Sequence, residues 1–210
     1  MTFPDEGYIK FDLKWEKKQA FSLNSLERLI SMRDKLYKEG VIGYDKELSV
    51  GYGNISERIS GTNTFYISAT QTGNIVTTHP EHYVKVISAH PETNELNCEG
   101  PAKASSESMT HAAIYAALPQ CNAVIHIHHA ELWQNKKLPY TGAKIPYGTP
   151  EMAQAVRALV KIMNTEKNNV FLMGGHRDGV ISFGTSLENA AEYLHSELSN
   201  LKMDPQKRTQ

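Results

Sequence analysis

Between Ser22 and Glu39 the apolar residues Leu26, Leu29, Ile30, Met32 and Leu36 recur three or four apart, the spacing that lines one face of a helix. Arg33 falls on the same face and joins it by its aliphatic stem. Ser22 or Asn24 can cap the start of this helix, and Gly40 can end it. The period then changes. SVGYGNISERI, TFYISAT, YVKVISA and the segment around Leu96 read as strands separated by turn residues. Residues 106–118, SESMTHAAIYAAL, predict a helix that stops before Pro119, and NAVIHIH behind it is short and apolar enough for a buried strand. In GTPEMAQAVRALVKIM, Thr149 serves as N-cap, Pro150 as the first helical residue and Glu151 as a first-turn acid. NVFLMGG and GVISFG are two further strands, and SLENAAEYLHSELSNL is a closing helix.

Strands and helices intermix without a repeat or a linker. The expectation is one α/β domain over residues 22–201, layered α/β/α around a central mixed or mainly antiparallel sheet. Residues 1–21 show no period and read as an N-terminal arm, and residues 202–210 as a disordered tail. The arm's Phe3, Tyr8, Phe11, Trp15 and Phe21 suit a subunit interface, unless the arm folds back on its own subunit.

Composition adds mainly exclusions. The 210 residues suffice for one sizeable core. Lys plus Arg number 22 against 23 for Asp plus Glu, a balance that offers nothing to nucleic acid. No run approaches the roughly 18 apolar residues of a membrane span. The opening MTFPDEGYIKFDLKWEKK lacks a signal peptide's apolar segment, and Cys98 and Cys121 form no C-x-x-C pair. A cytoplasmic protein is expected. Gly51-Tyr52-Gly53 runs into Asn54-Ile55-Ser56, which completes no nucleotide-binding fingerprint.

The candidate chemistry gathers on NAVIHIHHAELW, residues 122–133. Alternate side chains of a strand share a face, so His126 and His128 point the same way, while His129 points away or begins the loop. Two such imidazoles can converge on one metal ion at about 2.0–2.1 Å, although the pattern is short and common. Glu107, near the start of the preceding helix, can be brought back toward the strand's far end; equally, it can be an acid that favours the helix dipole. His111 lies one turn on and shares that face, or is a half-buried surface residue. His176 follows an apolar strand beside glycines that permit close backbone approach, which suits a third ligand or a turn. His79, His82, His90 and His195 read as surface residues.

Taken in order, SVGYGNISERI, ISATQTGNI, ASSESMTHAAIYAALPQ leading into NAVIHIHH, YGTPEMAQAV and FLMGGHRDGVISFGTSLENAAEYL resemble the class II aldolase/adducin family over about residues 22–200. That family comprises zinc-dependent sugar-phosphate aldolases, ribulose-phosphate 4-epimerases and methylthioribulose-phosphate dehydratases. The resemblance implies a class II aldolase-like fold with His126, His128 and His176 as metal ligands. Glu107 would be a further ligand of the resting site or the acid/base on the substrate carbon. Asn54, Thr72, Gly73, Ser105 and Ser106 would hold a substrate phosphate, a role that small hydroxyl residues beside glycine and a helix N-terminus can fill. Zn2+ is the expected metal, and Mn2+, Co2+ or Fe2+ suit the same donors.

The implied function is that of a lyase: aldol cleavage of a small sugar phosphate, or a related hydroxy-carbonyl compound, through a metal-stabilised enediolate. Epimerases and dehydratases use the same chemistry, whereas adducin heads use the scaffold without catalysis. The histidines and Glu107 argue against that last case. The resemblance also implies a homo-oligomer, a tetramer with sites at subunit boundaries. Three departures stand out. AELWQNKKLPYTGAKIPY is short where relatives have a long excursion carrying an acid tyrosine, for which Tyr140 and Tyr147 are the candidate replacements. Arg177-Asp178 follows the third histidine where better-known members have glycine directly, and the tail beyond residue 200 is short.

Overall fold

The computed structural model describes residues 8–203 apart from Leu48 and Asn164. Among the described residues ten strands form: β1 (Asp12–Lys17), β2 (Gly43–Asp45), β3 (Val50–Tyr52), β4 (Asn54–Arg58), β5 (Phe65–Ser68), β6 (Tyr83–His90), β7 (Glu95–Gly100), β8 (Ala123–His128), β9 (Val170–Leu172) and β10 (Gly179–Gly184). Five α-helices accompany them: α1 (Glu27–Lys38), α2 (Ser108–Ala117), α3 (Ala130–Trp133), α4 (Pro150–Ile162) and α5 (Leu187–Met203). One eight-stranded sheet runs in the order β1-β7-β6-β5-β4-β8-β10-β9, and β2 pairs with β3 in a separate ribbon. In the large sheet β1 and β7 are parallel, and every other neighbouring pair is antiparallel. This is the mixed, layered α/β fold expected.

Alternation along β8 divides the core in two. Val124 faces a cluster with Met109 and Ile114 of α2 and Val156 of α4, whereas Ala123, Ile125 and Ile127 face Leu29 and Leu36 of α1 and Leu194 of α5. His126 lies in phase with Val124, on the α2 side. Thr149 Oγ1 accepts from Met152 N at 3.3 Å and caps α4, as its sequence predicts. The cap expected for α1 is absent. Ser22 precedes a 3-10 turn, Leu23–Ser25, and its Oγ meets Ser25 Oγ at 2.8 Å instead of a helix amide.

The segment read as an arm carries the edge strand β1, with Phe11 buried and Trp15 Nε1 donating to Gly100 O at 3.0 Å. Phe21 packs edge-on against Tyr66, with ring centroids 5.0 Å apart. Phe11, Trp15 and Phe21 therefore pack on the chain's own sheet, with Trp15 and Phe21 half-buried; Tyr8 is exposed, and Phe3 lies outside the described residues. At the other end, Lys202 and Met203 continue α5 where a disordered tail was expected, and residues 204–210 lie outside the described residues.

Candidate active site

The site forms where β8 ends. His126 and His128 leave one face of the strand, and antiparallel pairing with β10 places Gly179 opposite His128, which brings the preceding turn and His176 alongside. The three rings form a nearly equilateral triangle, with centroids 5.1 Å apart for His126–His128, 5.0 Å for His126–His176 and 4.8 Å for His128–His176. One ligand atom from each lies within 4.8 Å of the others. His126 and His176 are buried, while His128 is partly open to solvent. Burial above all, helped by the neighbouring imidazoles, holds His126 well below its ordinary value, and burial followed by His176 pushes His128 down to about 3. Both rings are therefore neutral at ordinary pH, the form that ligates a metal. His126 Nε2 is buried with no hydrogen-bond partner, which fits a metal-ligand position.

Glu107 stands at the N-cap of α2, and its carboxylate joins this cluster. Oε1 lies 3.2 Å from His176 Nδ1, and Oε2 accepts from Thr110 Oγ1 at 2.9 Å. Tyr147 stacks on the His176 ring at 4.4 Å, and the Lys10 ammonium sits 3.9 Å above the Tyr147 ring. Tyr140 is 60% exposed on the sheet edge, so of the two candidate replacements Tyr147 is the one beside the histidines; Tyr52 also stacks on His128, with ring centroids 5.3 Å apart. The turn around Gly174 and Gly175 needs its glycines. A Cβ on Gly175 would stand 1.9 Å from Ile145 O, and one on Gly174 would stand 2.2 Å from Thr141 O.

Asn54, Thr72, Gly73, Ser105 and Ser106 line one small cavity together with Glu107. An isolated bridge between Ala69 and Ala104, with Thr70 N donating to Lys103 O at 3.1 Å, draws the two loops together. In ISATQTGNI, which resembles the family's Thr-Pro-Ser/Thr-Gly turn, Gln71 takes the place of the proline, and its φ of 59° is a conformation closed to proline. The turn is thus shaped by other means. Arg33, buried on α1, donates to Thr72 O at 2.7 Å and also to Ile75 O. The Thr72–Gly73 peptide is trans, so a carbonyl held toward Arg33 turns the Gly73 N–H the opposite way. Neighbouring Asp34 accepts from Thr78 N and Thr78 Oγ1, fixing the far end of the loop.

Two participants escaped the sequence reading. The signal for Arg33 was a charge on an apolar helix face. His111, read as ligand or surface, is wholly buried; Ser56 Oγ lies 2.7 Å from its Nδ1 and 2.7 Å from Tyr115 Oη. Burial lowers His111 to about 3. Of the remaining histidines, His79 and His90 are exposed, while His82 and His195 are half-buried.

Residues 42–198 match the family model for the class II aldolase and adducin N-terminal domain. The chain belongs to the class II aldolase and adducin family. With three convergent histidines, it is an enzyme of the metal-dependent class II type. Among solved structures, YgbL from Klebsiella pneumoniae matches at 19% identity and TM-score 0.64, covering 90% of this chain and 93% of its own. L-fuculose 1-phosphate aldolase matches at 19% identity and TM-score 0.57, covering 89% and 91%. A sugar-phosphate aldolase from Thermotoga maritima matches at 17% identity and TM-score 0.58, covering 87% and 97%. At such identities the likeness is one of fold. No curated protein matches the chain.

Proposed function

We propose that this enzyme is a lyase that cleaves a carbon–carbon bond in a small sugar phosphate or a related hydroxy-carbonyl compound. The observation that carries the reading is the placement of Glu107, which lines the hydroxyl-rich cavity while its carboxylate touches the histidine triangle. An anion bound to Asn54, Thr72, Gly73, Ser105 and Ser106 would lie next to both the metal ligands and a carboxylate. A divalent ion held by His126, His128 and His176 would supply Lewis-acid polarisation of the substrate carbonyl, and imidazole donors make Zn2+ the first choice.

The chain's own residues do the rest. The cradle fixes the phosphate end of the substrate through hydroxyls and amides, which leaves the carbonyl end at the histidines. Glu107, held by Thr110, delivers a proton to the carbon that keeps the bonding electron pair after cleavage. The departing half becomes an aldehyde by losing its hydroxyl proton, which the phenol of Tyr147, stacked on His176, would pass on to solvent. We further propose a homotetramer in the cytoplasm. Cys98 and Cys121, both free and buried, suit a reducing compartment, and among the described residues no helix is long and apolar enough to cross a membrane.

The test is turnover of purified, Zn2+-loaded protein on a panel of ketose and aldose phosphates. Release of a triose-sized fragment would support the lyase reading. Isomerised or dehydrated product without cleavage would replace it with an epimerase or dehydratase.

A further inference from the structure

We infer that Asn54 is a positioning residue that couples the metal ligand His126 to the anion cradle through the two ends of one carboxamide. The inference rests on the proposed roles of the histidines and the cradle. Asn54 opens β4 directly opposite His126 on β8, and both side chains are buried. Its Nδ2 lies 3.1 Å from His126 Nδ1.

Hydrogen bonding at this pair can be fully accounted for. If Nδ2 donates to Nδ1, the imidazole carries its hydrogen on Nε2, and that tautomer offers no lone pair to a metal. Two buried atoms are then stranded, because Asn54 Oδ1 and His126 Nε2 both lack partners. A half-turn of the carboxamide exchanges Oδ1 and Nδ2 and turns the two stranded positions into a donor for an anion and a lone pair for a metal. Oδ1 accepts the Nδ1 hydrogen, Nε2 presents its lone pair, and the NH2 group takes the partnerless place of Oδ1 on a residue that lines the cavity with Thr72, Gly73, Ser105 and Ser106.

One rotamer therefore serves both partners. A metal on Nε2 requires hydrogen on Nδ1, which holds Oδ1 toward the ring and the NH2 toward the anion. An anion that binds the NH2 favours the tautomer that binds metal. Coupling of this kind is reciprocal, so each ligand raises the other's affinity by the same factor.

The experiment measures Zn2+ affinity of the full-length protein by competition with a chromogenic chelator, with and without inorganic phosphate, in a buffer of fixed free Zn2+. Wild type should bind Zn2+ about 5- to 10-fold tighter with phosphate present. Asn54→Leu should lose roughly 10- to 100-fold in Zn2+ affinity, and the phosphate effect with it. Asn54→Asp separates the two ends: its carboxylate accepts from Nδ1 and keeps Zn2+ affinity at or above wild type, yet it repels the anion and abolishes the phosphate effect. Far-UV circular dichroism establishes that each variant is folded. The coupling is overturned if Asn54→Asp loses as much Zn2+ affinity as Asn54→Leu, which would make Asn54 a donor to Nδ1. It is equally overturned if phosphate leaves wild-type Zn2+ affinity unchanged. Failure of wild type to bind Zn2+ at all would instead strike the metal reading on which the inference rests.

Discussion

Glu107 Oε1 lies 3.2 Å from His176 Nδ1, with both side chains buried, so the base of helix α2 and the turn after β9 meet through one carboxylate and one imidazole. The contact sets Glu107 beside the candidate metal ligands, where its proposed duty is to move a proton. Thr110 occupies the second carboxylate oxygen and keeps the group in place.

Glu107→Gln keeps the shape and removes the proton. The expected outcome is metal content close to wild type, with kcat reduced about 10²- to 10⁴-fold. Steady-state kinetics beside elemental analysis check it; unchanged kcat would move the proton-transfer role to His129 or a tyrosine.

Arg33→Met leaves the carbonyls of Thr72 and Ile75 without their buried donor. Stability should fall by more than about 2 kcal/mol in urea unfolding, because stranded buried acceptors bear the full loss of hydration. The freed Thr72–Gly73 peptide should also weaken the anion site. Inhibition by inorganic phosphate and KM should then both worsen by more than kcat does. Arg33→Lys, which can still reach one carbonyl, should recover part of each.

The metal-free protein should be acid-labile. His111 is lowered by burial from 6.5 to about 3, so the unfolded chain takes up this proton before the folded one does. Its contribution is fully present above 6.5 and is lost as pH falls from there toward about 3. The slope reaches about 1.4 kcal/mol per pH unit for this group, and His126 and His128 act in the same direction. Urea unfolding of chelator-treated protein across that window should show stability rising with pH, and His111→Gln should flatten the rise.

A homotetramer is expected in solution, with each site near a subunit boundary. Light scattering at micromolar concentration checks it. A monomer that retained full activity would rule out shared sites.

Much of this arrangement could be read along the chain because it depends on local period. The α2–β8 pair follows from a helix pattern ending at Pro119 and an alternating strand that puts His126 and His128 on one face. Strand β1 went unread: Phe11, Leu13 and Trp15 alternate with Asp12, Lys14 and Glu16, but three apolar residues among charges make too short a run to stand out. The short ribbon strand β2 carries too few residues to show any. His111 could not be placed from its neighbours in sequence. Its partners Ser56 and Tyr115 come from β4 and from one turn further along α2, and pairing of β4 with β8 beneath α2 makes that region polar and buried at once. Gln71 reads in sequence as a lone departure from a turn motif, and nothing near it in sequence shows that Arg33, from a distant helix, braces the loop by donating to Thr72 O.

The most direct test of the metal centre is the metal content of purified wild type and His128→Ala by elemental analysis. His128 is the partly exposed member of the triangle, so the variant should stay folded. A centre built by His126, His128 and His176 predicts close to one divalent ion per wild-type chain and a nearly complete loss in His128→Ala. Equal metal in the two proteins would contradict it.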